Sequence, residues 1–263
     1  MTIAISAAHS AAHAAGATAE GPPLRVLYED HHLLAVEKPA GLVTHPAYRH
    51  PDGTLADLVF ARQAARGERR PWLLHRLDRE TSGVVLFAKT EQARRAVVRQ
   101  FERRTVRRRY LALTSGVPAQ HEGVVVASLA RDPADRRRTV VVAEGPFAAT
   151  RYRVLAACKG YALLLAEPLT GRTHQIRAHL AHLGAPLTGD ARYLPAGHPA
   201  LDAAPRALLH AYRLGIAYPG TGASLELGAP LPLDLLSALA RLGLGAGLAA
   251  LDSSVDSLVD PLA

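Results

Sequence analysis

Asp78 stands between an Arg-Leu pair and the residues Arg-Glu-Thr-Ser-Gly in HRLDRETSGVVLFAKT, which runs from His75 to Thr90. A single carboxylate just before an apolar run has two readings. It can start a bend by accepting a hydrogen bond from the backbone two residues on. It can also do chemistry, as a nucleophile, as a base, or as a negative charge facing a carbon that becomes positive when a bond breaks. On these residues alone, turn chemistry is the simpler account. A second stretch, EPLTGRTHQIRAHLAHLGAPLTGDARY from Glu167 to Tyr193, opens a helix on a Gly-Arg turn and carries Arg177 one turn in. His174, Arg177 and Ala181 share a face of that helix. If the arginine points back over the turn and meets Asp78, it would lower the carboxylate's pKa and hold it ionised; an exposed helix arginine is the alternative. His174, His179 and His182 suggest a metal, but spacings of five and three do not bring all three to one face, so no metal site is expected.

Elements of ordinary length must position these residues. RVLYED and LLAVEKP read as strands separated by Asp30-His31-His32, and KPAGLVTHP ends the second with a Pro-X-Gly turn. TLADLVFARQAARG reads as a helix capped by Thr54, with Leu55, Leu58, Val59 and Ala61 apolar and Gly67 closing it. GVVLFAKT is a strand, and TEQARRAVVRQFERR a helix capped by Thr90, with Ala93, Ala96, Val97, Gln100 and Phe101 at helical spacing. RRRYLALTSG, GVVVAS, RTVVVAE, TRYRVLAAC and YALLLAEPL read as successive strands. The helix from Thr173 should bury Ile176, Leu180 and Leu183 and stop at Gly184. ALLHAYRLGIAYP and ASLELG follow as strands, and PLPLDLLSALARLG as a last helix. Such an order predicts an α+β fold: a mixed, mostly antiparallel central sheet flanked by helices. Residues 1–23 read as a disordered tail, 24–242 as the folded domain, and 243–263 as loosely ordered.

Charge narrows the class of partner. A formal net charge of +8 with a pI near 10.0 favours a polyanion. Nearly all the cations are arginine, whose planar fork suits phosphate oxygens and base edges, although an arginine-rich genome would give the same count. Lys38, Lys89 and Lys159 are the only lysines. Between Arg94 and Arg109 eight arginines face one acid, Glu102, and Arg95, Arg99 and Arg103 recur every fourth residue. A stripe so short of acidic partners is better explained by phosphate tracking than by helix salt bridges. RDPADRRRT, from Arg131, reads as a mobile basic loop and a second phosphate contact. Cys158 is the only cysteine, which excludes an internal disulfide and a multi-cysteine zinc site and fits a reducing cytoplasm. No run of eighteen or more apolar residues suggests a membrane span.

KPAGLVTHP, HRLDRETSG and TGRTHQIRAHLAHLGAPLTGD resemble the signature segments of the RluA branch of the pseudouridine synthases, in that family's order. RRRYLALTSG is similar to its tyrosine segment, and LLHAYRLGIAYP followed by APLP to its closing strand and turn. The resemblance spans Val26 to about Leu236. It implies the pseudouridine synthase catalytic fold and an isomerase that turns specific uridines of ribosomal or transfer RNA into pseudouridine without a cofactor. It gives Asp78 the essential catalytic role, Arg177 the ion pair that orients it, and Tyr110 the wall on which the base stacks, with a part in removing the C5 proton. Arg76 would fill the gap left by the extruded uridine, and Arg95, Arg99, Arg103 and Arg107 would contact RNA. Many relatives carry an N-terminal S4 module; too few residues precede the first strand for one here, so recognition is expected from the catalytic domain, acting as a monomer without an obligate protein partner. A non-catalytic RNA-binding protein on the same scaffold is the competing class.

Overall fold

A computed structural model describes residues 24–47, 50–195 and 204–254. In chain order the elements are β1 (Arg25–Glu29), β2 (Leu33–Lys38), α1 (Leu55–Ala65), β3 (Trp72–Leu73), β4 (Ser82–Ala88), α2 (Glu91–Glu102), β5 (Arg107–Ser115), β6 (Glu122–Arg131), β7 (Thr139–Val142), β8 (Phe147–Cys158), β9 (Tyr161–Pro168), α3 (Gln175–His182), β10 (Leu209–Ala217), β11 (Ser224–Gly228), α4 (Leu233–Leu242) and a 3-10 helix, Gly245–Ser254. They form two compact units, Met1–Arg108 with Ala211–Pro230, and Arg109–His210 with Leu231–Ala263. The predicted tail at residues 1–23 lies outside the described residues.

In the first unit the strand order is β1-β2-β4-β10, with β11 on β10 and β3 on β4. β2 and β4 pair antiparallel from Leu33 opposite Ala88 to Lys38 opposite Gly83. Leu33, Ala35, Val84, Leu86 and Ala88 on one face pack against Ala93 and Val97 of α2. α2 starts where Thr90 Oγ1 accepts the Ala93 amide at 3.3 Å, satisfying one of the donors that a helix start leaves unpaired. Gln100 exchanges two 2.8 Å hydrogen bonds with the backbone of Ala217, which fastens the end of α2 to the end of β10. Thr54 and Asp57 form a capping box at the start of α1. That helix departs from its expected face: Ala61 is exposed and Leu58 half-buried, while Gln63 points inward and bonds Arg62 and Glu68. The amide can be buried because both its ends find partners.

The second unit has the order β5-β9-β8-β6-β7, and each of these four pairings is antiparallel. Ile176 and Leu180 of α3 pack on Ala112, Leu164 and Ala166, with Leu183 only partly buried. Of residues 243–263, expected to be loosely ordered, 255–263 lie outside the described residues, and Gly245–Ser254 form the 3-10 helix, with Leu244 and Leu251 buried. Its Gly- and Ala-rich composition reads as a linker, but small residues also permit close approach: a Cβ on Gly247 would come within 2.8 Å of Ala156 Cβ on β8. The basic stretch between β6 and β7, expected to be a mobile loop, is a hydrogen-bonded turn. Asp132 N donates to Arg138 O at 3.0 Å, and the Asp135 carboxylate takes both the backbone and the side chain of Arg137. Among the described residues no single helix is long and apolar enough to cross a membrane.

Candidate active site

The loop that carries Asp78 is fixed at several points through its backbone. β3 runs along β4 with Trp72 opposite Ala88 and Leu73 opposite Phe87, and Leu74 N donates to Leu86 O at 3.1 Å. His75 then turns its ring back, and Nε2 accepts the Leu86 amide at 3.1 Å, so Nδ1 must carry the hydrogen. Burial, with the Arg108 guanidinium, pulls this imidazole's pKa down to about 3 and keeps it neutral. Leu77 is clamped at both backbone atoms by Thr44 Oγ1, at 3.2 and 2.7 Å. Asp78 O accepts from Thr81 N at 3.1 Å, so a backbone carbonyl closes the turn. Gly83, which follows, has φ +124°, and a Cβ there would run into the backbone of Ala211. Only glycine allows β10 to pass this close.

Lys38, at the end of β2, holds the loop from beneath. The side chain is fully buried, and its ammonium donates to Pro39 O at 2.8 Å, Leu42 O at 2.7 Å and Arg79 O at 2.9 Å. Arg79 O also accepts from Gly41 N at 2.9 Å, and Arg79 Nε returns a bond to Gly41 O at 3.0 Å. KPAGL and HRLDR, far apart in sequence, are thereby stapled together. Sequence reasoning placed Lys38 in a motif but gave it no role. A signal was available: in a chain that otherwise uses arginine, a lysine marks a place for a compact cation with three divergent donors, which a planar guanidinium cannot replace. Lys89 is also engaged, with Glu29 and Glu68 each at 2.9 Å.

In the second unit the segment that opens α3 is fixed through side chains. Gln175 Oε1 accepts from Thr170 Oγ1 at 2.7 Å and from Arg172 N at 2.9 Å, while its Nε2 donates to Ala149 O and Thr150 Oγ1, both at 2.9 Å. His174 takes a left-handed conformation, φ 53°, to swing the chain into the helix. Arg177 is buried, only 5% exposed, so the exposed-arginine alternative is overturned. Asp190 grips its fork, Nε to Oδ2 at 2.7 Å and Nη2 to Oδ1 at 2.8 Å, and the Tyr193 ring lies under the guanidinium with its centroid 5.0 Å away. Gly189 before Asp190 has φ +78° and sits against the carbonyl of Arg206, which leaves no space for a side chain. Asp190 and Tyr193 lie within the same motif as Arg177, but sequence spacing gave no means of seeing that they converge on it.

Tyr110 is half-buried on β5, opposite Ala166, and packs on the same apolar cluster as Ile176 and Leu180 of α3. Tyr110 and Arg177 thus belong to the second unit and border one core. Asp78, Arg76 and the helix arginines belong to the first. Arg76 is exposed. The stripe on α2 needs one correction, because Glu91, one turn before it, pairs with Arg94 at 3.1 Å and with Arg95 at 2.9 Å. An acid count that starts at Arg94 misses it. Arg99, Arg103 and Arg107 are exposed, and none has an ion pair among the described residues.

Residues 32–182, which contain the Asp78 loop, Tyr110 and Arg177, match the family described as RNA pseudouridylate synthase. The chain belongs to this family. It is 46% identical over 209 residues to an uncharacterized RNA pseudouridine synthase of Chloroflexus aurantiacus, covering 78% of this chain and 65% of that protein. It is 41% identical over 227 residues to the ribosomal large subunit pseudouridine synthase D of Nitrosomonas europaea, covering 84% and 66%. The chain thus spans just under two thirds of the length of these two relatives. Among solved structures, human RNA pseudouridylate synthase domain containing 4 superposes with a TM-score of 0.70 at 26% identity, over 83% of this chain and 93% of that one. Human RNA pseudouridylate synthase domain containing 1 gives 0.70 at 25% identity, over 93% and 100%. The α+β reading and the RluA-type resemblance are both borne out.

Proposed function

We propose that this chain is an RNA pseudouridine synthase in which Asp78 attacks, or removes a proton from, the ribose of a target uridine. The N1–C1′ bond breaks, the uracil turns, C5 joins C1′ as Asp78 is released from the ribose or returns the proton it took, and the proton on C5 is lost while N1 gains one. Atoms are conserved and nothing is oxidised, so the reaction calls for no cofactor. The observation that carries the proposal is the construction of the Asp78 loop: Lys38 and Thr44 hold the main chain on both sides of one aspartate. A carboxylate meant to meet a developing positive charge gains from such fixation, since a group already in place does not reorganise during the reaction.

Tyr110 is assigned to stacking under the uracil, with a part in C5 deprotonation, and Arg177 to the cation that keeps Asp78 ionised. Arg76 would fill the space of the flipped nucleotide, because extruding a stacked base costs about a few kcal/mol and a guanidinium plane recovers part of that by stacking. Arg95, Arg99, Arg103 and Arg107 would contact phosphates. The substrate is a structured RNA, ribosomal or transfer, with large-subunit ribosomal RNA favoured by the relatives' names. A cytoplasmic location would fit both.

The test is tritium release from RNA labelled at uridine C5. The account expects tritium in water matched by pseudouridine in the product. Free uracil would mean hydrolysis, and binding without release would mean an RNA-binding protein on this scaffold; either would overturn the proposal.

A further inference from the structure

Trp72 is the chain's only tryptophan, and it is 37% exposed. It lies opposite Ala88 on β4, so it faces the side of the sheet that α2 covers. The Arg94 guanidinium lies 5.8 Å from the ring centroid. Val98, in the same helix row as Arg94, is 36% exposed, and Arg95 and Arg99 occupy the adjacent row. Just before Trp72, Arg69 and Arg70 are exposed, and Arg70 stacks 3.8 Å from the centroid of the Phe60 ring. Glu91 is the acid on this edge of α2, and it is engaged with Arg94 and Arg95.

A large indole left open beside a row of arginines has the two parts that a single-stranded nucleic acid track requires: a flat face for a base and cations spaced along the backbone. We infer that Trp72 is a stacking subsite for an unpaired base of the RNA substrate, with Arg94 closing one side and Arg99 and Arg103 following the phosphates. This rests on the RNA reading above and adds a preference to it: the substrate should present a single-stranded segment to this face, apart from the uridine that reacts. A duplex cannot use the subsite, because its bases are already stacked on one another.

The test uses the full chain, a short oligouridylate and an RNA duplex of equal length. Because Trp72 is the only tryptophan, its emission reports on the site directly. The oligouridylate should quench that emission in step with binding measured independently, and the duplex should bind without quenching. Trp72→Ala should weaken oligouridylate binding by about 5- to 100-fold. It should leave duplex binding and the salt dependence unchanged, and Trp72→Phe should recover most of the loss. Oligouridylate bound with unaltered emission, or bound equally well by Trp72→Ala, would overturn the subsite alone. Failure to bind either RNA would overturn the RNA reading and the subsite with it.

Discussion

The Asp78 loop and the Arg177 helix solve the same problem in different ways. In the first unit a buried lysine and a threonine bond the main chain around Asp78, and the turn is closed by its carbonyl. In the second, a buried aspartate and a tyrosine ring hold the guanidinium of Arg177 itself. Main-chain anchoring sets where a side chain starts. Side-chain anchoring makes the functional group part of the core, so removing it or its partner strains the fold. The two regions should therefore respond differently to mutation.

The largest stability loss is expected for Asp190→Ala, which takes from the buried Arg177 guanidinium the carboxylate that grips its fork, at a cost of about 3–5 kcal/mol. Replacing both partners, Arg177→Met with Asp190→Leu, should recover much of the stability but not the activity. Denaturant unfolding alongside tritium release separates the two effects, and full activity in the double variant would show that Arg177 is only structural. Lys38→Met comes next. It strips a charged donor from three carbonyls; Arg79 O keeps the Gly41 amide, while Pro39 O and Leu42 O lose a donor that costs on the order of 1–3 kcal/mol where it is not replaced, and the change should also slow the reaction by loosening the Asp78 turn. Lys38→Arg should rescue little, since a planar fork cannot reach three converging carbonyls; wild-type stability in that variant would contradict the staple.

A smaller effect concerns acid. His75 in one unit and His179 in the other are held neutral, with pKa values pulled down to about 3 and about 4, chiefly by burial. In the unfolded chain both would charge near pH 6.5. The unfolded state therefore binds more protons below that pH, and stability should fall as pH drops from about 6.5 toward about 4, each histidine adding a slope of up to about 1.4 kcal/mol per pH unit. His179→Gln should flatten that slope by one histidine's share; an unchanged slope would mean that the ring titrates normally in the fold. The smallest effect on folding belongs to Arg95, Arg99 and Arg103. Changing all three to Gln should leave stability nearly unaltered and reduce the salt dependence of RNA binding, by about 0.7–0.9 in slope for each phosphate no longer neutralised. Arg95 should contribute least, since Glu91 already occupies it.

Much of this could be read from the sequence, for identifiable reasons. Strands such as Ser82–Ala88 and helices such as Glu91–Glu102 carry their own apolar patterns and caps, so they are local properties of the chain. Trp72–Leu73 is too short to show a period, and the 3-10 helix at Gly245–Ser254 resembles a linker because its small residues serve packing. In the candidate site, motif residues were legible and their supports were not. Arg177 could be picked out, but Asp190 and Tyr193 reach it only through tertiary folding, and nothing local marked Lys38 as an anchor except the rarity of lysine.

The central claim is that the anchored loop exists to present the carboxylate of Asp78. Asp78→Asn keeps the shape and the carbonyl that closes the turn while removing the charge, so unfolding and RNA affinity should match the parent. Single-turnover tritium release from C5-labelled RNA, with the variant saturated, should then fall to background. Release at the parental rate by a folded, RNA-bound Asp78→Asn protein would contradict the account.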